Sequence, residues 1–202
     1  MKKGSWPEWF IMVLAFSILL GMAGCSSLFP PEENPDTPGD STPDNPETPE
    51  DPADTGINFT LPDLKGKEVS LLEFRGTPVL VVFLKSYCNK CEDEAPAIQD
   101  VYRRHQGELQ VLGVAVNERG TSGDLIASPE QYAQMIRASF VNKYSWTFPV
   151  LIDDYGIVQR ECFVRLGVPA FLFLNEKGEI QHTLTGAVSE NNLESLLYQY
   201  LL

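Results

Sequence analysis

The chain has 202 residues, 43% of them apolar, and a formal net charge of −13. That length suits one packed domain with extensions. The charge argues against a nucleic-acid partner, because phosphate recognition needs clustered Lys and Arg.

Read in chain order, the sequence divides into residues 1–24, 25–56 and 57–202. Lys2 and Lys3 precede a mostly apolar run of about 14 residues from Phe10 to Ala23. A membrane span takes about 20 residues, so this run has the length of a signal-peptide core instead. It ends in Gly21-Met22-Ala23-Gly24-Cys25. A cysteine behind small residues at this point resembles the bacterial lipoprotein lipobox, with Met22 where Leu is usual. The resemblance implies a signal peptide over 1–24, cleavage before Cys25, and acylation of Cys25. Several acyl chains would then hold the protein to a lipid bilayer, since a single chain is marginal. Ser26 directly after that cysteine favours the outer membrane where the cell has one. Secretion with Cys25 as a bystander, or an uncleaved anchor, are the alternatives.

From 25 to 56 the chain alternates Pro30, Pro31, Pro35, Pro38, Pro43, Pro46, Pro49 and Pro52 with nine acidic residues and no Lys or Arg. Such a stretch has too little to bury to offset its ordering entropy, and is expected to be an extended, disordered tether at roughly 3 Å per residue. The acidic balance therefore belongs mostly to the tether, not to a binding face.

The remainder, 57–202, reads as one globular domain. "INFTLPDLKGKEVSLLEF" gives one or two short strands around a turn. "VLVVFLK" from Val79 is a continuous β-branched and aromatic run, the pattern of a strand buried on both faces. Cys88 and Cys91 follow at once, and Ala95, Ile98, Val101 and Tyr102 carry helical spacing to about His105, with Pro96 as a possible kink. Leu109 to Val116 is a second buried strand, followed by a polar stretch to Ala127. Ser128-Pro129-Glu130-Gln131 starts a helix, with Ser as N-cap, Pro at N1 and Gln at N3, and the helix is expected to reach about Tyr144. Phe148 to Ile152 is a third strand, Tyr155 to Leu166 a short helix and Ala170 to Asn175 a fourth strand. Asn175 to Gly178 turns the chain into "EIQHTLTG". A last helix starts near Ser189, with Leu193, Leu196, Leu197, Tyr200 and Leu201 on one face. The order of elements predicts an α/β sheet with parallel inner strands and an antiparallel edge.

The chemistry concentrates in Cys88-Asn89-Lys90-Cys91. At a strand-to-helix junction the first cysteine meets the free N–H groups and dipole of the helix, which favour its thiolate. Cys88 is then the nucleophile and Cys91 the resolving partner. A zinc site needs more ligands, and Cys162, His105 and His182 form no second paired motif. Two thiolates alone suffice for Cu(I), so a copper site stays open as an alternative. A structural staple across so small a loop gains little chain entropy.

"FTLPDLKGKEVSLLEFRGTPVLVVFLKSYCNKCEDEAP", "FPVLID" and "GVPAFLFLNEKGEI" together resemble the TlpA/ResA group of thioredoxin-like proteins, in the AhpC/TSA-redoxin superfamily. The resemblance covers nearly all of 57–202. It implies a thioredoxin-like α/β fold: a central mixed sheet flanked by helices, with an added N-terminal β-hairpin. It also implies an extracytoplasmic protein-disulfide oxidoreductase, often a reductant. Its partners would be protein thiols and disulfides, such as apocytochrome c haem-site cysteines or other secreted proteins, and a membrane electron donor. No metal or other cofactor beyond the redox-active disulfide is expected. Cys88 and Cys91 take the place of the active pair. Pro169 takes the place of the cis-proline facing that pair, so that the backbone of Val168 is presented to an extended substrate segment. Glu94 stands where the family carries an acid that tunes cysteine pKa, and a partly buried carboxylate there would relay the Cys91 proton. A solvated, dipole-stabilising acid is the alternative role for Glu94.

The chain departs from the family at several points. Tyr87 replaces the usual Trp at the substrate-facing position before the pair, Lys90 the usual Pro, and Ala170 the usual Thr. Val82 stands where thioredoxins carry a buried acid. Glu92 and Asp93 are expected to be solvated. Cys162 reads as a small core residue in preference to a redox role, His105 and His182 as structural, and Glu118 to Ser128 as an insertion that either borders the substrate groove or is a plain surface loop, the loop being preferred. Two competing functions fit less well. A peroxiredoxin-type peroxidase would need Pro and Thr or Ser where Val81 and Lys85 stand. Thioredoxin-like Cu(I) chaperones use a longer cysteine spacing with a distal His.

Overall fold

The computed structural model describes residues 56–120, 122–162 and 167–202. The signal-peptide, Cys25 and tether expectations lie outside these residues, as does the end of the helix expected up to Leu166.

Strands β1 (Thr60–Pro62) and β2 (Glu68–Ser70) form an antiparallel hairpin with Leu61 opposite Val69. Its turn is closed by Asp63, whose Oδ1 accepts the N–H groups of Lys65 at 2.7 Å and Lys67 at 2.9 Å. A short 3-10 turn, Leu71–Phe74, follows behind a Ser70/Glu73 capping box.

The main sheet has five strands: β3 (Val79–Leu84), β4 (Gln110–Asn117), β5 (Val150–Asp154), β6 (Ala170–Leu174) and β7 (Ile180–Thr185). Their spatial order is β5-β4-β3-β6-β7. β3, β4 and β5 run parallel, whereas β6 is antiparallel to β3 and β7 antiparallel to β6. The antiparallel pairing thus reaches the central strand instead of being confined to an edge. The connection from β5 to β6 explains this. A parallel return needs a long crossover, usually a full helix. Here the described helix α3 (Ile157–Glu161) has only five residues. The chain therefore enters β6 from the end at which β5 stopped. That is also the end at which β3 delivers Cys88.

All six residues of β3 are buried, and they alternate between two cores. Leu80, Val82 and Leu84 join Ile98, Val101, Tyr132, Ile136 and Leu197 on one face. Val79, Val81 and Phe83 join Leu61, Leu71, Leu151 and Val158 on the other. The first face is covered by α1 (Asn89–Arg104), α2 (Pro129–Ile136) and α4 (Glu190–Tyr200), the second by the N-terminal hairpin and α3. α1 runs unbroken through Pro96. α2 starts at the expected Ser128 capping box and continues through a π-helical stretch, Arg137–Asn142, towards Tyr144. Trp146 beyond it donates its ring N–H to Ala95 O at 2.9 Å, fastening this arm to α1. No helix among the described residues is long and apolar enough to cross a membrane.

Candidate active site

β3 ends at Leu84, and a turn over Lys85 to Cys88 leads straight into α1, with Cys88 N–H donating to Lys85 O at 3.3 Å. Cys88 is the N-cap of α1. Its Sγ accepts the Cys91 N–H at 3.2 Å, the place that a Ser or Asp oxygen takes in an ordinary cap. A helix N-terminus is a ready anion site, so the geometry favours negative charge on this sulfur. Cys88 and Cys91 are joined by a disulfide with Cα atoms 5.2 Å apart. Their exposures differ: Cys88 is half-buried, while Cys91 is 3% exposed.

The turn is braced from below. Tyr132, fully buried on α2, donates its hydroxyl hydrogen to Val116 O at 2.6 Å and accepts the Ser86 N–H at 3.3 Å. Nothing near Tyr132 in the sequence announces this role, because its partners lie 46 and 16 residues away.

Opposite the pair stands the start of β6. The Val168–Pro169 peptide bond is cis, and Val168 O lies 3.8 Å from Cys88 Sγ. Val168 is half-buried and Pro169 buried. The antiparallel entry of β6 makes this apposition possible across 80 residues of sequence.

The three acids behind Cys91 have separate environments. Glu94 lies one turn beyond Cys91 on α1 and is 6% exposed. Its Oε1 accepts the Val188 N–H, and its Oε2 is buried with no hydrogen-bond partner among the described residues. Burial pushes its carboxyl from 4.5 up to about 7; the Val188 bond opposes that rise and Asp93 adds to it. Asp93 is exposed, as expected. Glu92 is not solvated as expected: it is half-buried and its Oε2 pairs with Lys143 Nζ at 2.5 Å. Lys143 comes from the turn of helix just beyond the π-helical stretch, so nothing near Glu92 in the sequence announces it.

At the rim, Tyr87 is 58% exposed. Partial burial of its phenol, and then the Glu118 carboxylate, raise its pKa. Glu118 also pairs with Lys85 Nζ at 2.5 Å. The stretch from Glu118 is therefore more than a plain surface loop. It folds back on itself, with Ile126 N–H donating to Glu118 O at 3.1 Å, and its base meets Lys85 in the turn that leads to Cys88. Cys162 is buried at the end of α3, in the core layer opposite α1. His105 Nε2 lies 2.8 Å from Glu194 Oε1, and the His182 ring stacks on Tyr200 with centroids 4.3 Å apart. Neither histidine is near the pair in sequence or shares its hydrogen-bond partners. Among the described residues no three His, Cys, Asp or Glu side chains are grouped so as to hold a metal ion.

A mixed sheet that brings C-x-x-C at a helix N-terminus against a cis-proline defines a thioredoxin-fold protein-disulfide oxidoreductase. The chain belongs to the AhpC/TSA family, which it matches over residues 52–183. Within that family its relatives are ResA-like. It is 30% identical over 142 residues to the thiol-disulfide oxidoreductase ResA of Halalkalibacterium halodurans, covering 70% of this chain and 72% of that one. It is 32% identical over 140 residues to the thioredoxin-like protein YneN of Bacillus subtilis, covering 69% of this chain and 75% of that one. Among solved structures, a secreted Mycobacterium tuberculosis disulfide oxidoreductase shares the fold, with a TM-score of 0.57 and 22% identity over 70% of this chain and 95% of that one.

Proposed function

We propose that this protein is a membrane-anchored, extracytoplasmic reductant of protein disulfides, working through the Cys88–Cys91 couple with no other cofactor. The observation that carries the reading is the asymmetry of the pair. Cys88 is accessible at a helix N-terminus beneath Val168 and Pro169, and Cys91 is buried one turn from the buried carboxyl of Glu94.

The reduced dithiol carries two electrons. A substrate segment docks in extended form on the backbone of Val168, with Tyr87 at the rim. The Cys88 thiolate attacks one substrate sulfur; a bond forms between the two, the substrate S–S bond breaks, and the second substrate sulfur leaves as a thiolate. Cys91 then gives its proton to Glu94 and attacks Cys88 Sγ. The Cys88–Cys91 bond forms, the mixed disulfide breaks, and the first substrate sulfur leaves and takes up a proton. Two electrons have passed to the substrate, and a membrane electron donor returns them to the pair. A carboxyl with a pKa of about 7 suits this task, because it accepts and releases a proton near neutral pH.

Reduction is the direction that the family resemblance suggests. Asp93 and the ionised form of Glu94 act against the thiolate that the helix N-terminus favours, and so support it by favouring the disulfide over the dithiol. A couple that prefers to be oxidised is a reductant. Anchoring rests on Cys25 and the tether, and secreted proteins or apocytochrome c are the substrates that the family resemblance suggests.

Cys88→Ser should abolish reduction of insulin disulfides, and Cys91→Ser should accumulate a mixed disulfide visible by mass. Full activity of the Cys88→Ser protein would sink the proposal. A reduction potential at the oxidising end of the thioredoxin-like range would reverse the direction of flow. Cys25→Ser should move the protein from the membrane to the soluble fraction.

A further inference from the structure

The loop between β7 and α4 makes two hydrogen bonds that link parts of the site 75 residues apart. Gly186 N–H donates to Pro169 O at 2.9 Å. Val188 N–H donates to Glu94 Oε1. Only Ala187 lies between, so the two donors ride on a span of about 7 Å at most. Both ends of that span are held. Thr185 pairs with Ala170 in the sheet, and Ser189 caps α4 by accepting the Asn192 N–H at 3.4 Å. Gly186 has φ +98, a conformation that residues with a Cβ rarely adopt, and no atom lies within 4 Å of where a Cβ would stand. The glycine therefore serves backbone conformation, not close packing.

We propose that Gly186 to Val188 is a positioning strap that couples the cis-proline loop to Glu94, so that docking of a substrate backbone on Val168 resets the hydrogen bond on the proton acceptor of Cys91. The path is continuous: Cys88 Sγ against Val168 O, the Val168–Pro169 peptide, Pro169 O to Gly186 N–H, and Val188 N–H to Glu94. Glu94 is poised to respond, because its other oxygen is buried with no hydrogen-bond partner among the described residues. The bond from Val188 favours the carboxylate, so lengthening it drives Glu94 towards the acid form and shortening it does the reverse. Asp93 on α1 is the charged group acting on Glu94; residues 168–169 and 186–188, which face the site from the other two segments, carry no charge. The strap thus ties the moment of docking to the proton affinity that the resolving step needs. This inference rests on Glu94 as the Cys91 proton acceptor.

The test is a double-mutant cycle on the full chain, following insulin reduction from pH 5 to 9 in the wild type, Gly186→Ala, Glu94→Gln and the double variant. Gly186→Ala is expected to move the limb of the profile set by Glu94 by half a pH unit or more, up to about twofold in rate at the midpoint and about threefold on the steep part of the limb. That effect should vanish in the Glu94→Gln background. Gly186→Asn, which tolerates positive φ better than Ala does, should give a smaller shift than Gly186→Ala. An equal loss from Gly186→Ala in both backgrounds would show a merely structural loop and overturn the strap alone. A Glu94→Gln profile identical to the wild type would instead overturn the role of Glu94, and the purpose of the strap with it. A second measurement does not depend on how Gly186→Ala folds. In Cys91→Ser protein, the Glu94 carboxyl is titrated by 13C NMR with Cys88 carrying either a disulfide-linked peptide or a methylthio group. Different midpoints are expected, since only the peptide docks on Val168; equal midpoints would overturn the coupling.

Discussion

Replacing Glu94 with Gln should remove a pH dependence from the stability of the oxidised protein. Gln keeps the shape of the side chain and an oxygen for the Val188 N–H, but it never ionises. In the folded protein burial raises the Glu94 carboxyl from 4.5 to about 7. Between those two values the folded state holds a proton that the unfolded state has released. Wild-type stability therefore falls as pH rises from about 4.5 to about 7, and the loss is complete above that. At 1.36 kcal/mol per pKa unit, the full ionisation penalty is roughly 3 kcal/mol. Urea denaturation at pH 4.5, 6, 7 and 8.5 reads this directly, provided the m-value stays constant. The difference between Glu94→Gln and wild type should be small at pH 4.5 and grow to a few kcal/mol in favour of Gln at pH 8.5. Parallel stability curves for the two proteins across this window would refute the reasoning. They would mean that the carboxylate finds compensation in the fold, and that Glu94 is an ordinary acid.

Tyr132→Phe removes a buried hydroxyl and leaves Val116 O and the Ser86 N–H without it, which should cost about 1–2 kcal/mol. Urea denaturation checks the loss, and unchanged stability would show that the turn before Cys88 does not depend on this brace. Lys143→Gln leaves the Glu92 charge uncompensated in the first turn of α1, so the Cys88 thiol pKa should rise and the reduction potential fall. Both effects should shrink in high salt because Lys143 is exposed; pH-dependent alkylation of Cys88 at low and high ionic strength measures them. A Cys88 pKa that moves down, or not at all, would remove Lys143 from the electrostatics of the site.

Much of the site is legible locally. The six-residue apolar run of β3 and the helical spacing of Ala95, Ile98 and Val101 are enough by themselves to put Cys88 at a strand-to-helix junction. The start of α2 is equally readable, because Ser128, Pro129 and Gln131 each satisfy a backbone requirement of the first helical turn. Glu94 and Pro169 can be singled out only through resemblance to a family, since neither residue has a local signal of function. The half-buried, paired state of Glu92 escapes a local reading for a related reason: its partner Lys143 lies 51 residues away.

Short-range spacing therefore determined most of the elements and the position of the cysteine pair, because a helix cap or a buried strand is specified by residues within a turn or two of one another. The sheet order and the antiparallel entry of β6 were decided only by the tertiary structure. They bring Pro169 to Cys88, Val188 to Glu94, and Tyr132 under Ser86. Each of these contacts joins segments whose separation in sequence carries no record of their distance in space, and depends on how two cores pack against opposite faces of one sheet.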